Sequence, residues 1–233
     1  MQRSEVNAIL AHAIELFARH KFYLPPFAHW TPDEWQQRAA SARHAIDTRM
    51  GWDLTDFGLD DFMAKGILLF TVRNGLLADL KRGDGLVYCE KIMITRADQL
   101  CPMHRHLMKT EDIINRAGDT PATRLALKLY RTTPDGDLDR NASVPVLLDG
   151  VSAELDAGST VRLAAGESIT LFPGVFHAFW AEGGDVMIGE VSTVNDDAAD
   201  NFFHEPVARF PAVSEDEAPL RLLVSDYARV FGR

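Results

Sequence analysis

The spacing of apolar positions changes once along the chain. From Ser4 to His20, Val6, Ile9, Leu10, Ala13, Ile14 and Phe17 recur at steps of three and four. That spacing lines one stripe of an α-helix and places Ser4 at its cap. LPPFAHW interrupts the helix, and Thr31, Pro32, Asp33 and Glu34 then spell a capping box with proline at the first helical position. A second helix is predicted from there to about Ile46. Gly51 to Lys65 mixes Asp, Gly and aromatic residues without a period and reads as irregular.

Beyond Gly66 the period becomes two. GILLFTVRNG alternates through Leu68, Phe70 and Val72 and closes on the turn signal Asn74-Gly75. From Leu86 to Arg96, Tyr88, Glu90, Ile92 and Ile94 share one face and Cys89, Lys91 and Met93 the other. Further short runs follow, TRLALKLYRT, VPVLL, STVRLAA, ESITLF, FHAFWA and DVMIGEVST, separated by Gly, Asp and Pro. Many short strands with frequent turns predict an antiparallel barrel or sandwich. The tail contains Pro206, Phe210, Pro211 and the acids Glu215, Asp216 and Glu217, then LRLLVSDY as a late strand or helix. The simplest organisation is one domain, with a helical extension over 1–65, a β-barrel core over 66–200 and a closing segment over 201–233.

Charge removes some partners. The chain carries 34 acidic and 24 basic residues, a net charge of -10, with no Lys/Arg cluster. Nucleic acid and anionic membrane are therefore poor partners. No segment has the continuous apolar length of a secretory signal or a membrane span. Cys89 and Cys101 are too few for a disulfide framework or a thiolate zinc site, and are read as thiols in a reducing cytoplasm.

The chemistry concentrates in MHRHLMKTEDIINRAG, Met103 to Gly118. His104 and His106 leave the same face of a strand, and Glu111 follows after a length of chain that a bend can fold back beside them. Two imidazoles and a carboxylate with an open position make a catalytic metal pattern. His177, in FPGVFHAFW, is a fourth candidate ligand. His12, His20, His29, His44 and His204 have no ligand-like company and are read as surface or packing residues.

These residues carry a resemblance. HRHLMKTEDIINRAG, with His104, His106, Glu111 and Gly118, is similar to the first motif of cupins, and GESITLFPGVFHAFW, with Pro173, Gly174 and His177, to the second. The second departs by one residue from the common spacing of its proline, glycine and histidine. Together, KTEDIINR, LFPGVFHAFWAEGG, GEVSTVNDD and RFPAVSEDEAPL resemble the D-lyxose isomerase family over most of the chain beyond Gly66. The resemblance implies a cupin-type antiparallel β-barrel, or jelly roll, with an N-terminal helical extension. It also implies aldose-ketose isomerisation of D-lyxose to D-xylulose, or of D-mannose to D-fructose, and a divalent metal held by His104, His106, Glu111 and His177. Manganese is the metal that family uses; Co²⁺, Fe²⁺ and Zn²⁺ suit the same donors. A homodimer is expected from the same likeness.

Moving hydrogen between C1 and C2 requires a base for the carbon proton and a group that shuttles the hydroxyl proton. Lys109, two residues before Glu111, points to the ligand face if the chain is extended there. Lys91 lies on the Cys89–Met93 face, although an amphipathic strand ordinarily turns lysine outward. Glu190, in IGEVST, is a carboxylate among apolar neighbours that needs a partner. Glu217 is carried as an acid that could reach over the barrel mouth, against the ordinary reading of a charge run as a solvated face. Two other readings stand beside isomerisation: a cupin dioxygenase with a three-histidine, one-glutamate metal, and a sugar-binding cupin without turnover.

Overall fold

A computed structural model describes residues 1–232; Arg233, at the end of the expected closing segment, lies outside the described residues. The first helix, α1, spans Arg3–Arg19 and buries Val6, Leu10, Ala13, Leu16 and Phe17. Its cap is Gln2, whose amide donates to Glu5 Oε2 at 2.7 Å. Ser4 instead donates its hydroxyl to Asp216 at 2.6 Å, fastening α1 to the tail.

The expected second helix is two: α2, Pro32–Arg38, and α3, Arg43–Asp47. Its Thr31–Glu34 capping box is present. Between the two, the Ser41 hydroxyl donates to the Arg38 carbonyl at 3.0 Å, the side-chain competition with backbone that disfavours serine inside helices.

The segment from Gly51 is not irregular at its start. Gly51–Thr55 forms β1, buried at every position. Its acid hid it from the pattern, because the Asp53 carboxylate is buried against Arg209 far down the chain. Gly51 sits at φ +128°, and a Cβ there would lie 2.5 Å from the Tyr227 hydroxyl.

The remaining elements are β2 (Ile67–Arg73), α4 (Leu77–Arg82), β3 (Tyr88–Thr95), β4 (Cys101–Arg105), β5 (Glu111–Gly118) and β6 (Arg124–Thr132). After them come β7 (Leu138–Asp139), β8 (Val144–Leu148), β9 (Val151–Leu155), β10 (Thr160–Leu163), β11 (Ser168–Leu171), β12 (Phe176–Glu182), β13 (Val186–Thr193), β14 (Phe202–Phe203) and α5 (Tyr227–Phe231). The late apolar run thus ends as a helix.

The strands form two antiparallel sheets, as expected of the curled, cupin-like barrel. One has the order β1-β2-β3-β13-β5-β11-β8-β9; the other runs β10-β6-β12-β4-β14, with β7 also on β6. Between them lies a core that includes Leu69, Met93, Ile113, Leu127, Ile169 and Phe179. The opposite face of the first sheet carries Trp52, Leu68, Phe70 and Ile92, packed against α1. This sheet is therefore covered on both sides where β1, β2 and β3 meet, which is why ILLF is apolar throughout. No helix among the described residues is long and apolar enough to cross a membrane.

Candidate active site

Strand pairing brings distant histidines together. β12 runs antiparallel to β4, and His177 lies directly opposite His104. Their ring centroids are 4.1 Å apart. His106 follows the end of β4, and its carbonyl accepts the Gly174 amide at 2.6 Å. Gly174 takes φ +83°, a left-handed value that favours glycine, so the Pro173-Gly174 turn hooks one motif onto the other. The β4–β12 register shifts between His177 and Phe179, a local irregularity of the kind found beside active sites.

Each imidazole is oriented by a backbone carbonyl. His104 Nδ1 lies 2.7 Å from the Pro102 oxygen, His177 Nδ1 lies 3.2 Å from that of Val175, and His106 Nδ1 is hydrogen-bonded to the Asp200 oxygen. A carbonyl only accepts, so Nδ1 carries the proton and Nε2 presents its lone pair. Burial, reinforced by His177 and His106, holds His104 neutral well below the usual imidazole range. Burial, with the Lys109 charge beside it, pushes His106 down to about 4. Burial also lowers His177. One ligating nitrogen from each ring lies within 4.8 Å of the other two, so the three histidines could hold a metal ion.

Glu111, at the start of β5, divides its carboxylate. Oε1 lies 3.1 Å from His177 Nε2 and 3.8 Å from His106 Nε2, while Oε2 lies 2.7 Å from Lys109 Nζ. Burial works against the Glu111 charge, but the Lys109 ammonium beside it prevails and holds the acid well below its usual range. Lys109 occupies the loop between β4 and β5, and its ammonium also reaches Glu190 Oε1 at 2.9 Å. Burial opposes that charge too, yet the two carboxylates keep the lysine protonated, above its ordinary value.

Lys91 faces inward, not outward, and is 6% exposed. Its ammonium lies 3.2 Å from Glu190 Oε1 and donates to Asn195 Oδ1 at 2.7 Å. The strand register explains the meeting, because Glu190 on β13 pairs with Lys91 on β3 and with Ile113 on β5. Burial raises the Glu190 pKa, but Lys109 and Lys91 outweigh it, so the group is an ionised carboxylate.

Glu217 is not part of this arrangement. It is exposed and accepts a hydrogen bond from Asn7 Nδ2 at 2.6 Å, so it belongs to the contact between the tail and α1. Pattern reading also missed partners of the site. The Asp200 carboxylate accepts the amides of Leu107, Met108 and Lys109 at 2.6, 3.0 and 2.8 Å, shaping the loop that presents Lys109. Asn195 bridges toward both lysines. His12, read as unpartnered, lies 3.0 Å from Asp185 and away from the site.

The family model described as D-lyxose isomerase matches residues 1–227. The chain belongs to the D-lyxose isomerase family. It is 46% identical to a D-lyxose/D-mannose isomerase of Serratia proteamaculans over 98% of this chain and 99% of that protein. A D-lyxose/D-mannose isomerase of Escherichia coli O157:H7 is 42% identical, with coverage of 97% and 98%. In fold, the chain resembles the L-ribose isomerase of Cellulomonas parahominis bound to L-ribose, with a TM-score of 0.58 and 20% identity over 92% of this chain and 98% of that one. Family membership makes this chain a sugar isomerase, and the dioxygenase and non-catalytic readings give way to it.

Proposed function

We propose that the chain interconverts D-lyxose and D-xylulose, with D-mannose and D-fructose as a second pair, through an enediolate. Its relatives are named for D-lyxose and D-mannose. We assign a divalent metal, Mn²⁺ foremost, to His104, His106, Glu111 and His177; three neutral imidazoles and one carboxylate suit such an ion. When bound, the metal acts as a Lewis acid on the oxygens at C1 and C2.

The protein's own groups divide the proton work. Glu190 takes the proton from C2, exchanges it with solvent while the enediolate stands, and delivers a proton to C1. The Lys109 ammonium gives a proton to O1 and recovers one from the O2 hydroxyl, so the hydroxyl proton passes from O2 to O1, and Lys91 holds Glu190 in place. The observation that carries this reading is the Lys109 bridge, 2.7 Å from Glu111 and 2.9 Å from Glu190, which joins the metal-side carboxylate to the proposed base. Glu217 has no role in this scheme. The buried free thiols Cys89 and Cys101 fit a reducing compartment, and we retain a homodimer as the proposed assembly.

Metal-loaded protein incubated with D-lyxose in deuterated water should form D-xylulose carrying solvent deuterium, and chelator should stop the reaction. No ketose with Mn²⁺, Co²⁺ or Mg²⁺ would overturn the proposal. Ketose without deuterium would replace the enediolate route by a hydride shift.

A further inference from the structure

Beside the proposed metal residues, a cavity of about 50 Å³ is lined by Lys109, Glu190, Phe179, Asn201 and Arg209, among others. Two polar atoms of residues lining this cavity are buried without a hydrogen-bond partner among the described residues: Arg209 Nη1 and Asn201 Oδ1. Buried polar groups are ordinarily paired, and an unpaired one calls for an explanation. Here one is a donor and the other an acceptor, the complement of a hydroxyl group, which accepts and donates at once.

The other arm of the same guanidinium is fully engaged. Arg209 Nη2 donates to Asp53 Oδ2 and to Asp197 Oδ2, both at 2.6 Å. Two carboxylates on one guanidinium fix its plane, and the sugars in the relatives' names carry no phosphate. We infer that Arg209 Nη1 and Asn201 Oδ1 form the specificity contact for one hydroxyl on carbons 3 to 5 of an unphosphorylated sugar. This rests on the isomerase reading for its substrate class, but it concerns binding at carbons that do not react. Neither residue carries chemistry; they select and position.

The test is calorimetric titration of the metal-loaded protein with D-arabinitol, the reduced form of D-lyxose, with the analogues lacking the hydroxyl at the carbon that was lyxose C3, C4 or C5, and with the polyol phosphorylated at the carbon that was lyxose C5. Asn201→Ala removes the acceptor. Arg209→Lys keeps a cation between Asp53 and Asp197 while removing the free arm. Each variant should bind D-arabinitol roughly tenfold to a hundredfold more weakly, the range for leaving a buried polar partner unmade. One deoxy analogue should bind wild type equally weakly and be indifferent to both variants, and the phosphate should bind wild type no more tightly than the free polyol. If Arg209→Lys does not fold, Asn201→Ala carries the test alone. Unchanged binding by Asn201→Ala, an equal loss on every analogue, or preferred binding of the phosphate overturns the inference. A wild type that binds the polyol with this pattern but makes no ketose overturns the isomerase reading instead.

Discussion

Lys91 and Ile92 are neighbours on β3, 6% and 2% exposed, and they point to opposite faces of the same sheet. On the Ile92 face, Trp52, Phe70 and Leu68 pack beneath α1, where burying each large apolar side chain contributes about 1.5–3 kcal/mol. On the Lys91 face, Glu190 and, beyond it, Lys109 and Glu111 are buried to the same degree. There each ion carries a desolvation cost of several kcal/mol that its partners offset in part. Equal burial therefore hides unequal energetics. One face holds the sheet to its helix; the other holds charges in a fixed geometry that an apolar core would not need.

The comparison breaks first at the charged pair. Lys91→Met together with Glu190→Leu leaves Lys109 its 2.7 Å contact to Glu111. Turnover should fall about ten-thousandfold, about 5 kcal/mol of barrier. The denaturant midpoint should hold or rise, because apolar replacements of a buried ion pair are often neutral or stabilising by about 1–4 kcal/mol. A variant that unfolds would show that the charged face stabilises the sheet after all. On the other face, Phe70→Ala should cost about 3–5 kcal/mol of stability and leave the kcat of the folded fraction within about twofold. Paired measurements of kcat and unfolding midpoint check both.

A smaller effect lies in pH. The His106 imidazole takes a proton at about 6.5 when unfolded but only at about 4 in the fold. Protons therefore bind the unfolded chain preferentially between those values, and the stability of metal-free protein should fall as pH drops from about 6.5 to 4. This residue accounts for about 3 kcal/mol of that loss. Urea unfolding across this window, with His106→Gln as the comparison, should show the slope flatten in the variant.

Much of this was legible in local patterns. Period-two alternation revealed β2, β3 and β13, and the spacing of His104, His106 and Glu111 needed only one strand and one bend. What escaped depended on partners far along the chain. Asp53 made β1 look irregular because its counterion, Arg209, lies in the tail. Asn195 and Asp197 meet their partners, Lys91 and Arg209, only through the fold. Asp200 carried no signal at all, because what it binds is the backbone of Leu107 to Lys109. Glu217 misled in the opposite sense: an acid in a run was available for any role, and α1 claimed it.

The pairing of His177 with His104 has a consequence for synthesis. As the chain leaves the ribosome, the first three proposed ligands emerge together and the fourth only after six further strands have followed β5. The carbonyl that orients His106 and the guanidinium that ends the cavity emerge later still. A nascent chain arrested before β12 lacks the fourth proposed ligand, so the proposed metal site is complete only once β12 has paired with β4.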